Sequence, residues 1–279
     1  MSDPRHYQIA VLGSLLAYGC LALDFAVGWH QIVTLVLVAL GTQMLASRWV
    51  DIPFDWRSPL ISSLSLCLLL RTETASATVL AAVITIASKF LIRLRGKHVF
   101  NPTNFGLIAI LLLDAGWVSP GQWGSAALAA FAFAGLGGLV VFRARRADVT
   151  WAFLLFYPAL LLARAIWLGD PMAIPLHQLQ SGALLLFAFF MISDPKTTPD
   201  RRSGRILFAL LVALTAGFIR FVLFQPNELL WALVCCSMLT PLIDRMLPAE
   251  RYRWQTAIPP LSDSDPTAFR VQPKGVLAS

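Results

Sequence analysis

Ser181-Gly182-Ala183-Leu184-Leu185-Leu186-Phe187-Ala188-Phe189-Phe190-Met191-Ile192 is almost wholly apolar, yet it is only 12 residues long. A straight helix needs roughly 20 apolar residues to cross the hydrocarbon core of a bilayer. A second run of 12 residues, Pro59–Leu70, falls at the matching place in the first half of the chain. Paired short segments predict broken helices near a membrane midplane, where freed backbone faces a ligand or ion instead of lipid.

Composition fixes the setting of these segments. Of 279 residues, 57% are hydrophobic and 13% charged; mean hydropathy is +0.70. Soluble domains carry about 25% charged residues. The fold class expected is an all-α polytopic membrane protein, because the alternation of a membrane β-barrel is absent. Gln8–Val27 is long enough to span. Gly28-Trp29-His30 makes a poor cleavage site, so the run is read as a retained helix and not a signal peptide.

Ten spans are expected, at 8–27, 31–46, 59–70, 75–92, 103–115, 125–142, 149–167, 181–192, 206–224 and 228–243. Charge tests the count. With the N-terminus inside, 19 of the 22 Lys and Arg fall on the inner side, and only Arg71, Arg164 and Arg220 lie at or near outer ends. Removing one span would invert every later loop and destroy this bias. The expected organisation is therefore a cytoplasmic N-terminus (1–7), a transmembrane domain (8–246) and a cytoplasmic tail (247–279). The expected location is a membrane, with both termini on the cytoplasmic side. Five spans per half make the second half an inverted copy of the first, with repeats at about 8–115 and 125–246 and short or broken third and eighth helices. Asn101-Pro102 then falls inside and Pro226-Asn227 outside. The net charge of +7 sits in loops beside spans. With no soluble basic module, nucleic acid is not an expected partner.

Phe100-Asn101-Pro102-Thr103-Asn104-Phe105-Gly106 is the most informative motif. Pro102 lacks an N–H and disfavours helix just before it. Asn101 and Asn104 offer amides suited to a flat polar heterocycle. The same residues also read as a plain helix start, with Asn101 as N-cap and Pro102 at the first helical position. Asp194, before Pro195, is either a buried acceptor or a turn starter. His98 flanks the Asn-Pro motif. Arg220 lies inside the ninth span, where it grips an anion or snorkels outward; snorkelling is the reading preferred, and Arg164 reads alike. Arg71 with Glu73 reads as a local surface pair.

Other chemistry finds little support. Cys20, Cys67, Cys235 and Cys236 lie in apolar runs without zinc spacing, which favours core packing and no metal. Gly135-Leu136-Gly137-Gly138 has no following Lys-Ser/Thr and reads as close helix packing. No catalytic triad or carboxylate pair appears, so no catalytic residues are expected. That pattern argues against an autonomous catalyst.

Three segments together carry a resemblance. Phe100–Asn104, Ser181–Pro199 and Thr240-Pro241-Leu242-Ile243-Asp244-Arg245 resemble the NqrB/RnfD family, the membrane component shared by sodium-pumping NADH:quinone reductase (NqrB) and the Rnf electron-transport complex (RnfD). The likeness covers roughly residues 55–246. Trp117–Gly124 is similar to the version in stand-alone relatives associated with enediyne clusters. The resemblance implies ten helices in inverted halves and flavin-linked electron transfer across the membrane. It also implies a riboflavin-like ligand near Asn101, with Asn104, His98 and Asp194 as the other cofactor-binding candidates.

One departure matters. Family members carry flavin mononucleotide on a threonine in the loop after the fifth span. Here that loop, Asp114–Gly124, has none, and no threonine occurs between Thr103 and Thr150. The expected cofactor is thus riboflavin or FMN held without a covalent bond. Partner subunits or a soluble electron donor would then be required. The alternative is a transporter or channel of the same fold for a flavin or another metabolite.

Overall fold

The computed structural model describes residues 3–23, 25, 27–119, 138 and 146–252. The chain is mostly helical. Nine of the ten expected spans coincide with helices; the sixth, 125–142, lies outside the described residues apart from Gly138, as do Gly135–Gly137 and the tail from 253.

Helix α1, Pro4–Ala22, starts at Asp3, whose carboxylate accepts the Arg5 N–H at 3.0 Å. Helix α2 spans Trp29–Trp49 and α3 Arg57–Leu69. Strand β1, Leu70–Arg71, leaves α3 directly. Helix α4, Ala75–Leu91, is capped by the Thr74 hydroxyl, which accepts from the Ala77 N–H at 3.2 Å. Next come β2 (Arg93–Leu94) and β3 (Lys97–His98), an antiparallel pair. Arg95 and Gly96, at φ 53° and 79°, make its two-residue turn, the left-handed geometry that matches strand twist. Helix α5, Pro102–Leu112, follows, and β4, Trp117–Val118, pairs antiparallel with β1.

The second half holds α6 (Ala147–Leu168), α7 (Ala173–Leu179), α8 (Gly182–Leu186) and a π-helical turn, Phe187–Met191. It ends with α9 (Arg202–Phe221), α10 (Glu228–Ser237) and α11 (Thr240–Met246). Helices α2, α6 and α9 have 21, 22 and 20 residues and are long and apolar enough to cross a membrane. Two bent pairs also qualify: α7 with α8 and its π turn, at 51°, and α10 with α11, at 47°. The shorter apolar helices are α3, α4 and α5.

Burial concentrates in two short segments. Residues Ser62–Leu69 of α3 and Phe187–Met191 of the π turn are all buried. The long α2 and α6 bury few residues and expose Leu37, Leu45, Trp151, Leu155 and Ile166. Apolar side chains facing outward from long helices suit lipid, whereas the short elements form the centre. Alanines along α4, Ala77, Ala81 and Ala82, are buried and let α2 and α5 approach. Gly106 of α5 meets α4 so closely that an added Cβ would lie 1.8 Å from the Thr85 Oγ1.

The two halves pack in parallel fashion. The second helix lies on the fourth and the fourth on the fifth; likewise α6, the seventh span, lies on α9, the ninth, and α9 on α10. Lys97 of the hairpin ties the halves at one end, with its Nζ 2.7 Å from Asp244 Oδ2 and 3.2 Å from Asp200 Oδ2. At that end Arg205 Nε also donates to both Asp148 oxygens at 2.9 Å.

Three arginines have partners that the sequence did not name. Arg220 Nη1 lies 2.5 Å from Glu228 Oε1, which also accepts the Tyr157 hydroxyl at 2.9 Å. Arg164 pairs with Asp170 at 3.5 Å and its guanidinium sits 4.1 Å from the centre of the Phe221 ring. Arg71 is buried and has no ion pair with Glu73. Its Nη1 donates instead to the Cys67 and Leu70 carbonyls at 3.0 and 2.8 Å, covering acceptors that α3 leaves open where it ends.

Candidate functional site

The site begins with one proline. Pro102 fixes the first turn of α5, and Asn101 becomes its N-cap with extended backbone (φ −61°, ψ 124°). The Asn101 Oδ1 accepts the Asn104 N–H at 3.1 Å. Its Nδ2 is left to reach across the chain midpoint, donating to Asp194 Oδ2 at 3.3 Å and the Met191 carbonyl at 3.4 Å. The helix-start reading of the motif therefore holds, and the Asn101 amide also forms a buried polar bridge between the two segments.

The partner segment is shaped by the π turn. The Ile192 N–H reaches the Phe187 carbonyl at 3.0 Å, one residue farther back than in an α-helix. Ser193 Oγ donates to the Phe189 carbonyl at 2.5 Å. Asp194 Oδ1 accepts the Lys196 N–H at 3.0 Å, and the Asp194 carbonyl accepts from Thr197 and Thr198 N–H at 3.2 and 3.1 Å. Asp194 is thus both turn starter and inward acceptor. Burial raises its carboxyl above the usual range, opposed by the Lys196 N–H and by the Lys196, Arg146 and Lys89 charges.

Around Asn101 lies a small cavity with about 100 Å³ of room for water-sized molecules. His98, Asn101 and Asp194 all line it, and Phe189, Phe190 and Met191 form an apolar wall. Asn104 does not line it. Its Nδ2 donates to the Leu230 carbonyl at 3.1 Å, and its Oδ1 is buried without a partner among the described residues. The expected quartet thus resolves into three cavity residues and one behind the helix start. His98 Nδ1 is also buried without a partner. Burial, helped by Arg93, Lys89 and Lys196, pushes the His98 imidazole down to about 4 from 6.5, so the ring is neutral at pH 7.

Lys89, Lys196, Ser58 and Arg5 also line this cavity and were not singled out from the sequence as site residues. Lys89 Nζ donates to Ser58 Oγ at 3.0 Å. Arg5 is held by Asp3, at 2.6 Å from its Nη2, and by Asp55. The signal available for Lys89 was its place inside an apolar run, since a charge within a span is costly and usually functional.

A larger cavity, about 1300 Å³ by the same measure, opens elsewhere, lined by Tyr157, Gln180, Ser181, Arg220 and Glu228 among others. Since α9 runs from Arg202 to Phe221, the two cavities belong to opposite ends of it: Lys196 precedes its start, and Arg220 and Phe221 end it. Met191 lines both.

This geometry meets a family assignment. Residues 9–253 match the model of the NQR2, RnfD, RnfE family. The chain belongs to that family. The D component of the ion-translocating oxidoreductase complex is similar in several bacteria. The protein of Psychromonas ingrahamii is 44% identical over 75 residues, covering 27% of this chain and 21% of that protein. That of Alcanivorax borkumensis is 37% identical over 117 residues, 39% of this chain and 32% of that protein. That of Escherichia coli is 33% identical over 153 residues, 53% of this chain and 40% of that protein. This NQR2/RnfD/RnfE chain thus spans less than half the length of each of these relatives.

The residues present fit a flat, polar heterocycle. Asn101, His98 and Ser58 supply neutral hydrogen-bonding groups, Lys89 a charge, and the Phe189–Met191 wall an apolar face. Among the described residues no group of His, Cys, Asp and Glu suits a metal ion. The described part of the loop after α5, to Ser119, has no threonine to carry a covalent flavin.

Proposed function

We propose that this chain is a membrane subunit for flavin-linked electron transfer, with a non-covalent riboflavin or FMN in the Asn101 cavity. The observation that carries the reading is the convergence of His98, Asn101 and Asp194 on one cavity, from two segments more than 90 residues apart. Family membership supports the electron-transfer role, and the missing loop threonine supports non-covalent binding. Asn101 would orient the polar edge of the ring, while Phe189 and Phe190 exclude water from its face. A bound flavin would supply the redox chemistry. Electrons would come from partner subunits or a soluble donor, as expected for a relative of proteins that work within a complex.

In this reading the chain has ten spans in two inverted halves, a stand-alone form of the family in a bacterial inner membrane. The parallel packing of second on fourth and seventh on ninth helices supports the repeat. The positive-inside bias supports cytoplasmic termini, with the Asn101 cavity opening to the cytoplasm. A second reading, transport of a flavin or metabolite, is favoured by Met191, which lines both cavities and could separate them. Purification in detergent tests the first reading. A flavin absorption spectrum, with flavin released on denaturation, is expected. Colourless protein that accepts no added flavin, yet takes up solute in proteoliposomes without a redox partner, would favour transport.

A further inference from the structure

Lys89 is 5% exposed and lines the Asn101 cavity. Its ammonium has one hydrogen-bond partner among the described residues, the neutral Ser58 hydroxyl at 3.0 Å, and no carboxylate within ion-pair distance. Asp55 is already engaged by Arg5 and Arg57. Lys196, half-buried on the same cavity, has no side-chain partner among the described residues. Against these two lysines the cavity wall offers one carboxylate, Asp194, which accepts from Asn101 and from the Lys196 backbone and attracts both side chains only from beyond ion-pair distance. Arg5 brings its own counter-charges, Asp3 and Asp55.

A buried ammonium without an anion is costly, and the cost falls when an anion arrives beside it. The Glu228 cavity illustrates the alternative, since Arg220 and Arg164 each have a carboxylate there. We propose that Lys89, backed by Lys196, makes the Asn101 cavity bind its ligand more tightly as an anion, and so favours the reduced flavin over the oxidised one. The inference rests on the flavin reading above. Uptake of two electrons and one proton leaves the isoalloxazine ring with one negative charge, whereas the oxidised ring is neutral. The electrons come from a low-potential one-electron donor in the cell and from dithionite in the test. Lys89 is a specificity residue here: it sets which charge state the cavity prefers.

The test is a spectroelectrochemical titration of the full chain in detergent, loaded with riboflavin, for the wild type, Lys89→Met, Lys89→Arg and Lys196→Met. Lys89→Met should weaken binding of reduced riboflavin at least tenfold while leaving the oxidised affinity within about threefold. For a two-electron couple a tenfold change lowers the midpoint potential by about 30 mV. Lys89→Arg should retain the wild-type potential. Lys196→Met should shift it in the same direction by less, because water screens that half-buried charge. Equal losses of oxidised and reduced binding in Lys89→Met would mark a structural residue and overturn the proposal. If Lys89→Met does not fold, an unchanged potential in Lys196→Met overturns it too, and a lowered one supports it. A wild type that takes up no flavin sinks the flavin reading and this inference together. A wild type that holds flavin at a potential indifferent to Lys89 sinks the inference alone.

Discussion

At the Glu228 end of α9 the charges answer one another. Arg220 meets Glu228, which Tyr157 also serves, and Arg164 meets Asp170. At the Asn101 end, Lys89 rests on a serine, Lys196 has no side-chain partner among the described residues, and His98 Nδ1 is buried without one. Both cavities set charged groups in a mainly apolar lining, and in the smaller one Arg5 has its carboxylates, Asp3 and Asp55, while the two lysines have none at ion-pair distance. Paired charges hold elements in place; unpaired ones wait for something to be bound.

Substitutions can break this contrast. The largest effect is expected from Asn101→Asp. It keeps an oxygen to cap α5 but removes the amide donor and sets a second carboxylate against Asp194. Riboflavin affinity, read by quenching of flavin fluorescence, should fall at least tenfold, or about 1.4 kcal/mol, while helix content by circular dichroism is retained. Glu228→Gln should do the reverse. It removes the charge facing Arg220 and should lower stability by about 1–3 kcal/mol, seen as a lower thermal midpoint, with flavin affinity unchanged.

A smaller effect should appear with pH. The folded protein keeps His98 neutral down to about pH 4, whereas the unfolded chain protonates it near 6.5. Its contribution is fully present above 6.5 and lost as pH falls towards 4, because the unfolded state then binds the extra proton. Thermal midpoints measured between pH 7.5 and 5 should decline less steeply in His98→Asn than in the wild type. Arg164→Ala should do least. Its pair with Asp170 is more than one-third exposed on both sides, and such pairs are worth about 0–1 kcal/mol, so both the thermal midpoint and flavin affinity should stay close to wild type.

The sequence made the helices legible because apolar run length and loop charge are local quantities. The short third and eighth runs correctly marked the buried centre. Asn101-Pro102 was legible as a cap, and Asn101, His98 and Asp194, singled out from the sequence, line one cavity. Asn104 lies off that cavity because residues three apart on one helix start share a motif but not a direction: Asn101 turns to Asp194 and Asn104 to Leu230. Lys89 was hidden among charges that topology already accounted for. The Arg220–Glu228 pair needs the turn at Phe224–Asn227, where two residues take positive φ, and no hydropathy pattern foretells that reversal. The bend between α10 and α11 was likewise invisible within one continuous apolar run, although Pro241 stands in the first turn of α11.

The most direct measurement of the central claim is an equilibrium riboflavin titration of detergent-solubilised protein comparing Asn101→Ala with Arg220→Lys. The account predicts that Asn101→Ala loses most of the affinity and Arg220→Lys keeps it. Equal affinities in the two variants, or loss confined to Arg220→Lys, would contradict it and move the ligand to the other end of α9.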